Sequence, residues 1–392
     1  MASRPHHLTQ AAMETLAIHA GEHPDQFHGA ACTPIFQSAM YEVADVSDYH
    51  DIPYIRLNNT PNHLALHEKL AALEGAEAAL VTASGMGAIT ATLMSLLHHG
   101  DHVLAQNCLY GGTHAFLTRD FERQGLSYDF IDAAQPATWA DKLKPSTRLF
   151  YVESIANPTM QVIDHLAVVA FSHRHQLVAV IDNTFLSPVN FRPLDLGYDL
   201  VIESATKYLN GHSDMLAGAV CGSAARVKAV SRIVTTVGSC LDPHACFLLQ
   251  RGLKTLVLRV HHHNQVALEL AQFLAKHSAV SEVHYPGLQT DPGHALAQRH
   301  FGGCGGVLSF RLHDGVTAAD RLIGRLHLFL RAPSLGGVES LITRPSQSSH
   351  RGLSDSERQL IGIAPDLMRV SVGLEAARDL IADFEQALAQ PG

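Results

Sequence analysis

Charged and aromatic residues are both scarce in this sequence. Of its 392 residues, 17% are charged and 6% are aromatic, whereas 46% are hydrophobic. This is the balance of a compact globular protein rather than a disordered one. The net charge of −9 excludes the basic stripe that nucleic-acid binding requires. We therefore expect an enzyme of small metabolites, built from two or three domains.

Cysteine pairs of the CxxC type are missing. The six cysteines are scattered, which indicates buried thiols of a reducing compartment rather than a disulfide framework. Cys240, His244 and Cys246 are close in sequence, so a zinc site is an alternative, although their spacing matches no familiar ligand pattern. The 27 histidines include no HExxH motif. We expect no metal.

Long hydrophobic runs are also missing. Residues 1–21 have no continuous apolar core of a signal peptide, so we expect a cytoplasmic protein. Residues 78–97 carry no charge, but threonine, serine and glycine make them too polar for a lipid-facing span. This stretch is typical of a strand, a glycine turn and a buried helix.

Three common catalytic motifs are absent. No GxxxxGK[ST] occurs, which excludes a nucleotide P-loop, and no GxSxG elbow exists. The SGMGAI segment lacks the third glycine of a dinucleotide fingerprint, and GGCGGV has Leu308 where that glycine should be.

The remaining pattern predicts three parts: an irregular N-terminal arm (1–60), an α/β domain (61–245) and a smaller C-terminal α+β domain (246–392). Strand–helix alternation in the second part implies a mostly parallel sheet covered on both faces. The strands expected there are Ala78–Thr82, His102–Gln106, Ser127–Ile131, Arg148–Glu153, Leu177–Asp182 and Leu200–Ser204, with helices at His63–Leu73 and His114–Gln124. In the third part we expect one long helical stretch from Phe247 to Lys276, strands at Gly305–Leu312 and Met368–Leu374, and helices at Ala318–Phe329 and Ala377–Leu388.

A carboxylate and a lysine, each close to the end of a predicted strand, suggest an electron-sink cofactor. Asp182 ends an apolar strand, where a carboxylate can pair with a buried cation such as a pyridinium nitrogen. Lys207 follows the next strand, with hydroxyls at Ser204 and Thr206, and burying such an amine is costly unless it reacts. Taken singly, Asp182 could be a helix cap and Lys207 a surface lysine. Together with the glycine turn at 84–87, which opens a helix and offers an anion site, they favour a pyridoxal-phosphate site.

Segments along almost the whole chain resemble the Cys/Met-metabolism family of fold-type I pyridoxal-phosphate enzymes, which includes the cystathionine γ-synthases, cystathionine lyases and methionine γ-lyases. They occur in the family's order: YIR (54–56), SGMGA (84–88), LYGGTHAF (109–116), ANPTMQVID (156–164), DNTFLSP (182–188), SATKYLNGHSDMLAG (204–218), RGLKTLVLR (251–259), APSLGGVESLI (332–342) and MRVSVGLE (368–375). The lysine motif with its NGHSD continuation is the most diagnostic of them. The resemblance implies a mostly parallel sheet in a large domain and a homotetramer with active sites shared between subunits.

The resemblance also implies roles for individual residues. Lys207 would hold pyridoxal 5'-phosphate as a Schiff base and shuttle protons, and Tyr110 would stack on the ring and take part in proton transfer. Asp182 would pair with the ring nitrogen, with Asn157 near the phenolic oxygen and Thr184 among the cofactor-binding residues. The phosphate would be held by Gly85, Met86, Ser204 and Thr206, and by Tyr54 and Arg56 of a neighbouring subunit. Arg369 would grip the substrate α-carboxylate, with Ser334 nearby.

The substrate signals disagree. Members that handle cystathionine commonly have arginine five residues after the stacking tyrosine, where this chain has Ala115, and methionine γ-lyases typically have cysteine where it has Gly112. Glu339, within SLGGVES, resembles the cystathionine γ-synthase and γ-lyase members. In the arm, Pro61 is displaced by one position from the family's usual Asn-Pro-Thr.

The reaction expected is therefore cystathionine γ-lyase-like carbon–sulfur cleavage. The alternatives are γ-replacement on O-acylhomoserine and methionine γ-lyase activity. A non-catalytic protein that retains the fold is a further alternative, which a test for a covalently bound, yellow cofactor would separate.

Overall fold

The computed structural model describes residues 11–43 and 49–389. Residues 1–10, in which the sequence predicted no signal peptide, lie outside the described residues, as do 44–48 of the predicted arm. Two sheets organise the chain. The first has seven strands in the order β1-β7-β6-β5-β4-β2-β3, and the second has five in the order β10-β11-β12-β9-β8. The strands are β1 (Ala78–Thr82), β2 (His102–Gln106), β3 (Ser127–Ile131), β4 (Thr147–Glu153), β5 (Val178–Asp182), β6 (Leu200–Glu203), β7 (Gly218–Gly222), β8 (Val280–His284), β9 (Val307–Leu312), β10 (Leu330–Arg331), β11 (Leu341–Thr343) and β12 (Met368–Ser371).

Helices cover both sheets. The α-helices are α1 (Met13–His19), α2 (Pro61–Glu74), α3 (Gly85–Leu96), α4 (Gly111–Asp120), α5 (His165–Arg174), α6 (Ser187–Asn190), α7 (Pro193–Leu196), α8 (Ala224–Val237), α9 (Pro243–Leu253), α10 (Leu256–Lys276), α11 (His294–His300), α12 (Gly315–Arg325), α13 (Asp355–Leu360) and α14 (Ala377–Ala389). Short 3-10 helices lie at Pro24–Phe27, Tyr49–Asp51, Ile55–Leu57, Glu122–Gln124, Pro136–Lys142 and Pro345–Gln347. Within the described ranges, no helix is both long and apolar enough to cross a membrane.

The fold class expected from the sequence, a mostly parallel sheet in an α/β arrangement, is confirmed. Strands β3, β2, β4, β5 and β6 run parallel to one another, and β7 joins β6 to β1 by antiparallel pairing. The division at residues 60 and 245 stays a prediction.

The six strands predicted for the first sheet are present, with bounds that differ by one residue at most. Strand β7, in the segment GAVCG, was not predicted because its small residues carry little of the β-branched and aromatic signal of strands.

The prediction of one continuous helical stretch from Phe247 to Lys276 is wrong. Helix α9 ends at Leu253 and α10 begins at Leu256, with Thr255 at φ −111° and ψ 7° between them. The Gly252 carbonyl accepts the Thr255 backbone N–H at 3.3 Å, three residues on, and also accepts the Thr255 hydroxyl and the Arg259 guanidinium. The first helix therefore closes with a tighter i→i+3 turn, supported by these side-chain donors, before the second helix starts.

The helix predicted at His114–Gln124 also needs correction. It begins at Gly111, ends at Asp120 and is followed by the separate 3-10 turn Glu122–Gln124.

Side chains of the first sheet alternate between two cores. Val152 and Ile181 pack into a cluster that continues into the second sheet, whereas Tyr151 and Val180 point to the opposite face, against α3 and α8. Because successive residues of a strand face opposite sides, the last residue of each strand selects one face. Parallel strands β4, β5 and β6 end in Glu153, Asp182 and Glu203, so three carboxyl groups lie along one edge of the sheet.

Glu203 meets a second buried carboxyl group, that of Glu74 at the end of α2. Both residues are buried, and the two carboxyl groups lie within hydrogen-bonding reach of one another. Burial raises the pKa of Glu74 to about 8, against the opposing charge of Arg192, and raises that of Glu203 well above its ordinary value. Two carboxylates this close cannot both ionise without strong repulsion, so the pair retains a proton in the folded protein.

Replacing Glu203 with glutamine should stabilise the protein at alkaline pH. The folded-state pKa of Glu74 is above the unfolded value, so the native state holds a proton that the unfolded chain releases between pH ~4.5 and ~8. The contribution of this pair to the free energy of unfolding is therefore highest below that window, and it falls as the pH rises through the window. We expect Glu203→Gln to raise the free energy of unfolding by about 1–2 kcal/mol at pH 8 and by less at pH 5.

Urea unfolding at the two pH values checks this expectation. The exposed Glu385 on α14 supplies the matched control, Glu385→Gln, which should leave the pH dependence unchanged. Equal or lower stability of the Glu203 variant at pH 8 would contradict the interpretation of the pair.

Candidate active site

A cavity of about 320 Å³ lies at the carboxyl edge of the seven-stranded sheet, between it and the loops of the second sheet. Most of the residues singled out from the sequence line this cavity: Gly85, Met86, Tyr110, Asn157, Asp182, Thr184, Ser204, Thr206, Lys207 and Arg369. They come from segments spread over nearly 300 residues of the chain. The parallel strands bring them together because their carboxyl ends share one edge.

Lys207 lies in the turn that follows β6. Its Nζ donates a hydrogen bond to the Ser334 hydroxyl at 2.8 Å, which places Ser334 beside the amine. Burial, and then the charge of Arg369, lowers the pKa of Lys207 to about 8. A larger fraction of this amine is therefore neutral near pH 7 than of an ordinary lysine, and a neutral amine is the nucleophilic form.

Asp182 is 8% exposed at the end of β5. One carboxylate oxygen accepts the Thr184 hydroxyl at 2.5 Å and the Thr184 backbone N–H at 3.1 Å, and the other accepts the Tyr151 hydroxyl at 3.4 Å. Burial raises the pKa of Asp182, while these donors oppose the rise. None of the groups that act on this pKa is a cation. A buried, hydrogen-bonded carboxyl group without a cationic partner fits a protonated ring nitrogen.

The amino end of α3 forms a second wall of the cavity. Ser84 caps the helix by accepting the Gly87 N–H at 3.0 Å, and the first N–H groups of a helix, here those of Gly85 and Met86, have no intrahelical acceptor. Gly85 packs against Ser204 so closely that a Cβ there would lie 2.8 Å from the Ser204 hydroxyl. A glycine is therefore required at position 85. The two backbone N–H groups of Gly85 and Met86, together with the Ser204 hydroxyl, are suited to bind a phosphate.

The two threonines of the cavity orient other groups. The Thr184 hydroxyl bonds Asp182 and also accepts the Ser204 backbone N–H at 2.7 Å, which links β5 to the lysine turn. The Thr206 hydroxyl donates to the Ala217 carbonyl at 3.1 Å and accepts the Ala217 N–H at 3.0 Å. Thr206 therefore stabilises the turn itself, in addition to lining the cavity.

Arg369, on β12, is a buried guanidinium whose partners are all neutral. It donates to the Asn157 side-chain oxygen at 2.9 Å and to the carbonyls of Ser334 and Pro333 at 3.0 and 3.2 Å, and its Nε has no partner among the described residues. Burial lowers its pKa to about 10, so it remains charged near neutral pH. A fixed cation with a free donor, facing a cavity, fits a carboxylate ligand.

Tyr110 is 43% exposed and stands immediately before α4, so its ring is available to stack on a planar ligand. Its backbone N–H donates to Glu153 at 2.5 Å.

Five predicted residues are not among those that line this cavity: Ser334, which contacts Lys207, and Tyr54, Arg56, Ala115 and Glu339. Arg56 donates to the Thr235 carbonyl at 3.0 Å and to the Tyr49 hydroxyl at 2.6 Å, with Tyr54 nearby under its guanidinium. Glu339 accepts the Ser213 hydroxyl at 2.9 Å, beyond the lysine turn, and Ala115 lies on α4 outside the lining.

The zinc alternative has no geometric support in the described ranges, where no group of three His, Cys, Asp or Glu side chains is placed to hold a metal ion.

Several lining residues were not predicted from the sequence. Glu153 ends β4 beside Asp182, and its position at a strand end was a signal that could have been used. Phe185, Leu216, Leu335 and Ser349 contribute apolar and hydroxyl surface to the cavity. Leu335 and Ser349 reach the cavity because the second sheet packs on the first, an arrangement that no local pattern indicates.

Comparisons with known proteins point in one direction. A family model described as Cys/Met metabolism PLP-dependent enzyme matches residues 14–389. The chain is 42% identical to an L-methionine γ-lyase of Pseudomonas putida, over 95% of this chain and 96% of that protein, and 38% identical to a cystathionine β-lyase of Coxiella burnetii, over 96% and 97%. A crystal structure of cystathionine γ-lyase from Lactobacillus plantarum, complexed with L-serine, superposes with a TM-score of 0.92 at 34% identity, covering 97% of this chain and 99% of that one.

Proposed function

This chain belongs to the Cys/Met metabolism PLP-dependent enzyme family, and on that basis we propose that it is a pyridoxal-phosphate-dependent carbon–sulfur lyase of sulfur amino acids. The observation that carries the proposal is the convergence of Lys207, Asp182 and Arg369 on one cavity. An amine with a lowered pKa, a buried carboxyl group without a cation and a buried guanidinium without a carboxylate each lack the partner that such a cofactor and an amino acid would supply.

Pyridoxal phosphate, when bound, supplies an aldehyde that bonds covalently to amines and a ring that withdraws electrons from the attached amino acid. The residues present fit it. Asp182 would hold the ring nitrogen, the amino end of α3 with Ser204 would hold the phosphate, and Tyr110 would cover the ring face.

Side chains of the protein bind the substrate, transfer its proton and limit the access of water. Arg369 binds the substrate α-carboxylate with its fork of donors, and Ser334 lies between that fork and the amine of Lys207. Once free, the Lys207 amine is placed to remove the proton on the substrate Cα and to return it to another atom, because its lowered pKa suits both directions near neutral pH. Phe185 and Leu335, which are both buried, give this region an apolar wall that limits the access of water.

The side chain of the substrate is chosen by the rest of the lining. Among the described lining residues, Lys207 and Arg369 are the cationic side chains, and Met86, Ile89, Leu216 and Leu335 are apolar. The cystathionine γ-lyase-like cleavage favoured by the sequence stays a candidate, but the described lining of this chain offers no further cation for the second carboxylate of cystathionine. An uncharged thioether such as that of methionine fits this surface better, so the lining favours methionine γ-lyase activity over cleavage of cystathionine.

A shared site is part of the proposal. Tyr54 and Arg56 do not line their own chain's cavity, and we propose that they complete the site of a neighbouring subunit within a homotetramer. A cytoplasmic location also belongs to this proposal.

Product assays test the function. With methionine, homocysteine and cystathionine as substrates, we expect release of a 2-oxo acid, ammonia and a thiol or sulfide, and a kcat/KM about tenfold higher for methionine than for cystathionine. Formation of cystathionine from O-acylhomoserine and cysteine, without any release of 2-oxo acid from the three lyase substrates, would contradict the proposal.

A further inference from the structure

Two carboxyl groups face the cavity side by side, although one ring nitrogen needs only one of them. Glu153 and Asp182 are paired in register at the ends of the parallel strands β4 and β5, so their side chains point to the same face of the sheet. Both are buried, at 5% and 8% exposure, and both line the cavity. The second carboxyl group, that of Glu153, has no role in the mechanism described above.

The two carboxyl groups have different hydrogen-bond donors. Asp182 receives two hydroxyl groups and a backbone N–H, from Tyr151 and Thr184. Glu153 accepts the backbone N–H of Tyr110 at 2.5 Å, and the backbone N–H of Asn157 is also within its reach.

The proton of this pair belongs on Glu153. Burial and the charge of Asp182 raise the pKa of Glu153 well above its ordinary value, and the two backbone donors only partly oppose the rise. The Tyr151 hydroxyl, which also faces this pair, has its pKa raised by burial and by the same two carboxyl groups, so it stays a donor to Asp182. Asp182 is left as the anion.

The donors to Glu153 connect two parts of the site. Tyr110 begins α4, and Asn157 lies in the loop between β4 and α5, where its side-chain oxygen holds Arg369 at 2.9 Å. A single carboxyl group therefore fixes the segment that carries the stacking ring and the segment that orients the guanidinium.

We propose that protonated Glu153 is a positioning residue, which sets Tyr110 and Asn157 around the cofactor ring and leaves Asp182 as the single anion at the ring nitrogen. This inference rests on the proposed function and concerns the same site.

Two substitutions test whether Glu153 acts as a hydrogen-bond acceptor or through a negative charge. Glu153→Gln keeps a neutral carbonyl acceptor of the same size, so we expect kcat to stay within about threefold of the wild type. Glu153→Leu leaves two buried N–H groups without an acceptor and frees both segments. We expect kcat to fall about 10²-fold with little change in KM, and the dissociation constant for pyridoxal phosphate to rise about tenfold.

The readouts extend beyond turnover. Spectrophotometric titration gives the dissociation constant for pyridoxal phosphate, and the visible band of the bound cofactor, recorded from pH 6 to 9, should match the wild type in Glu153→Gln and shift in Glu153→Leu. Asp199→Asn, at a carboxylate that is paired with Arg226 and lies outside the cavity, is the matched control and should not alter the band. Thermal unfolding of the cofactor-free proteins identifies a folding defect. If Glu153→Leu does not fold, Glu153→Asp, whose carboxyl group is one methylene too short to reach both donors, should show the same loss.

The outcomes are distinct. A wild-type protein that binds no pyridoxal phosphate would overturn the proposed function itself. Binding by the wild type, with band and kcat unchanged in Glu153→Leu or Glu153→Asp, would overturn only the role of Glu153. Equal losses in Glu153→Gln and Glu153→Leu would show that the negative charge is required, which also overturns the inference.

Discussion

Lys207→Ala is expected to lower turnover of sulfur amino acids by about 10³-fold or more, and to abolish covalent attachment of pyridoxal phosphate. Removing the amine removes both the nucleophile that bonds the cofactor and the base at the substrate Cα, and each role carries a large share of the rate. Ser334 would lose its hydrogen-bond partner at 2.8 Å, but Lys207 lies in a turn and not in a core cluster, so the fold should persist. Steady-state kinetics and a thermal unfolding curve measure the two effects.

Borohydride reduction in the presence of pyridoxal phosphate, followed by peptide mapping, locates the attachment. Lys69 supplies an internal control, because burial also lowers its pKa to about 8 although its amine donates to the carbonyls of Ala17 and Ile18 and lies outside the cavity. We expect the label on Lys207 and none on Lys69, since a lowered pKa without access to the cofactor is not sufficient. The absence of label on Lys207, or full turnover by Lys207→Ala, would rule out the mechanism.

Asp182→Asn is expected to lower kcat by about 10³-fold while keeping the shape of the side chain. The amide can still accept from Thr184, but it carries no charge to hold a proton on the ring nitrogen, so the ring withdraws electrons less strongly. Because the substrate carboxylate binds elsewhere, at Arg369, KM should change far less than kcat.

Stopped-flow measurement of substrate Cα deprotonation separates this effect from product release. The control is Asp199→Asn, at a carboxylate paired with Arg226 at 2.9 Å and outside the cavity, for which we expect unchanged kinetics. A kcat of Asp182→Asn within threefold of the wild type would contradict the assignment of Asp182 to the ring nitrogen.

Most strands of the seven-stranded sheet were predictable from the sequence, whereas the break between α9 and α10 and the strand β7 were not. Strands such as Val178–Asp182 are short apolar runs bounded by polar turns, and this signal is local to the segment. The break between α9 and α10 depends on Arg259 reaching back to the Gly252 carbonyl, and the strand at Gly218–Gly222 is fixed by antiparallel pairing on both sides. Both depend on partners that the periodicity of one segment does not contain.

The sequence by itself predicted the fold class and the residues that we propose to hold the cofactor, because a lysine turn, a carboxylate at a strand end and a glycine-opened helix are each local features of the sequence. Only the tertiary structure decided which of those groups share a cavity: it placed Glu153 in register with Asp182 and left Ala115 and Glu339 outside. The physical reason is that a side chain's chemistry follows from its identity, whereas its pKa and its partners follow from burial and from strands that lie far apart along the chain.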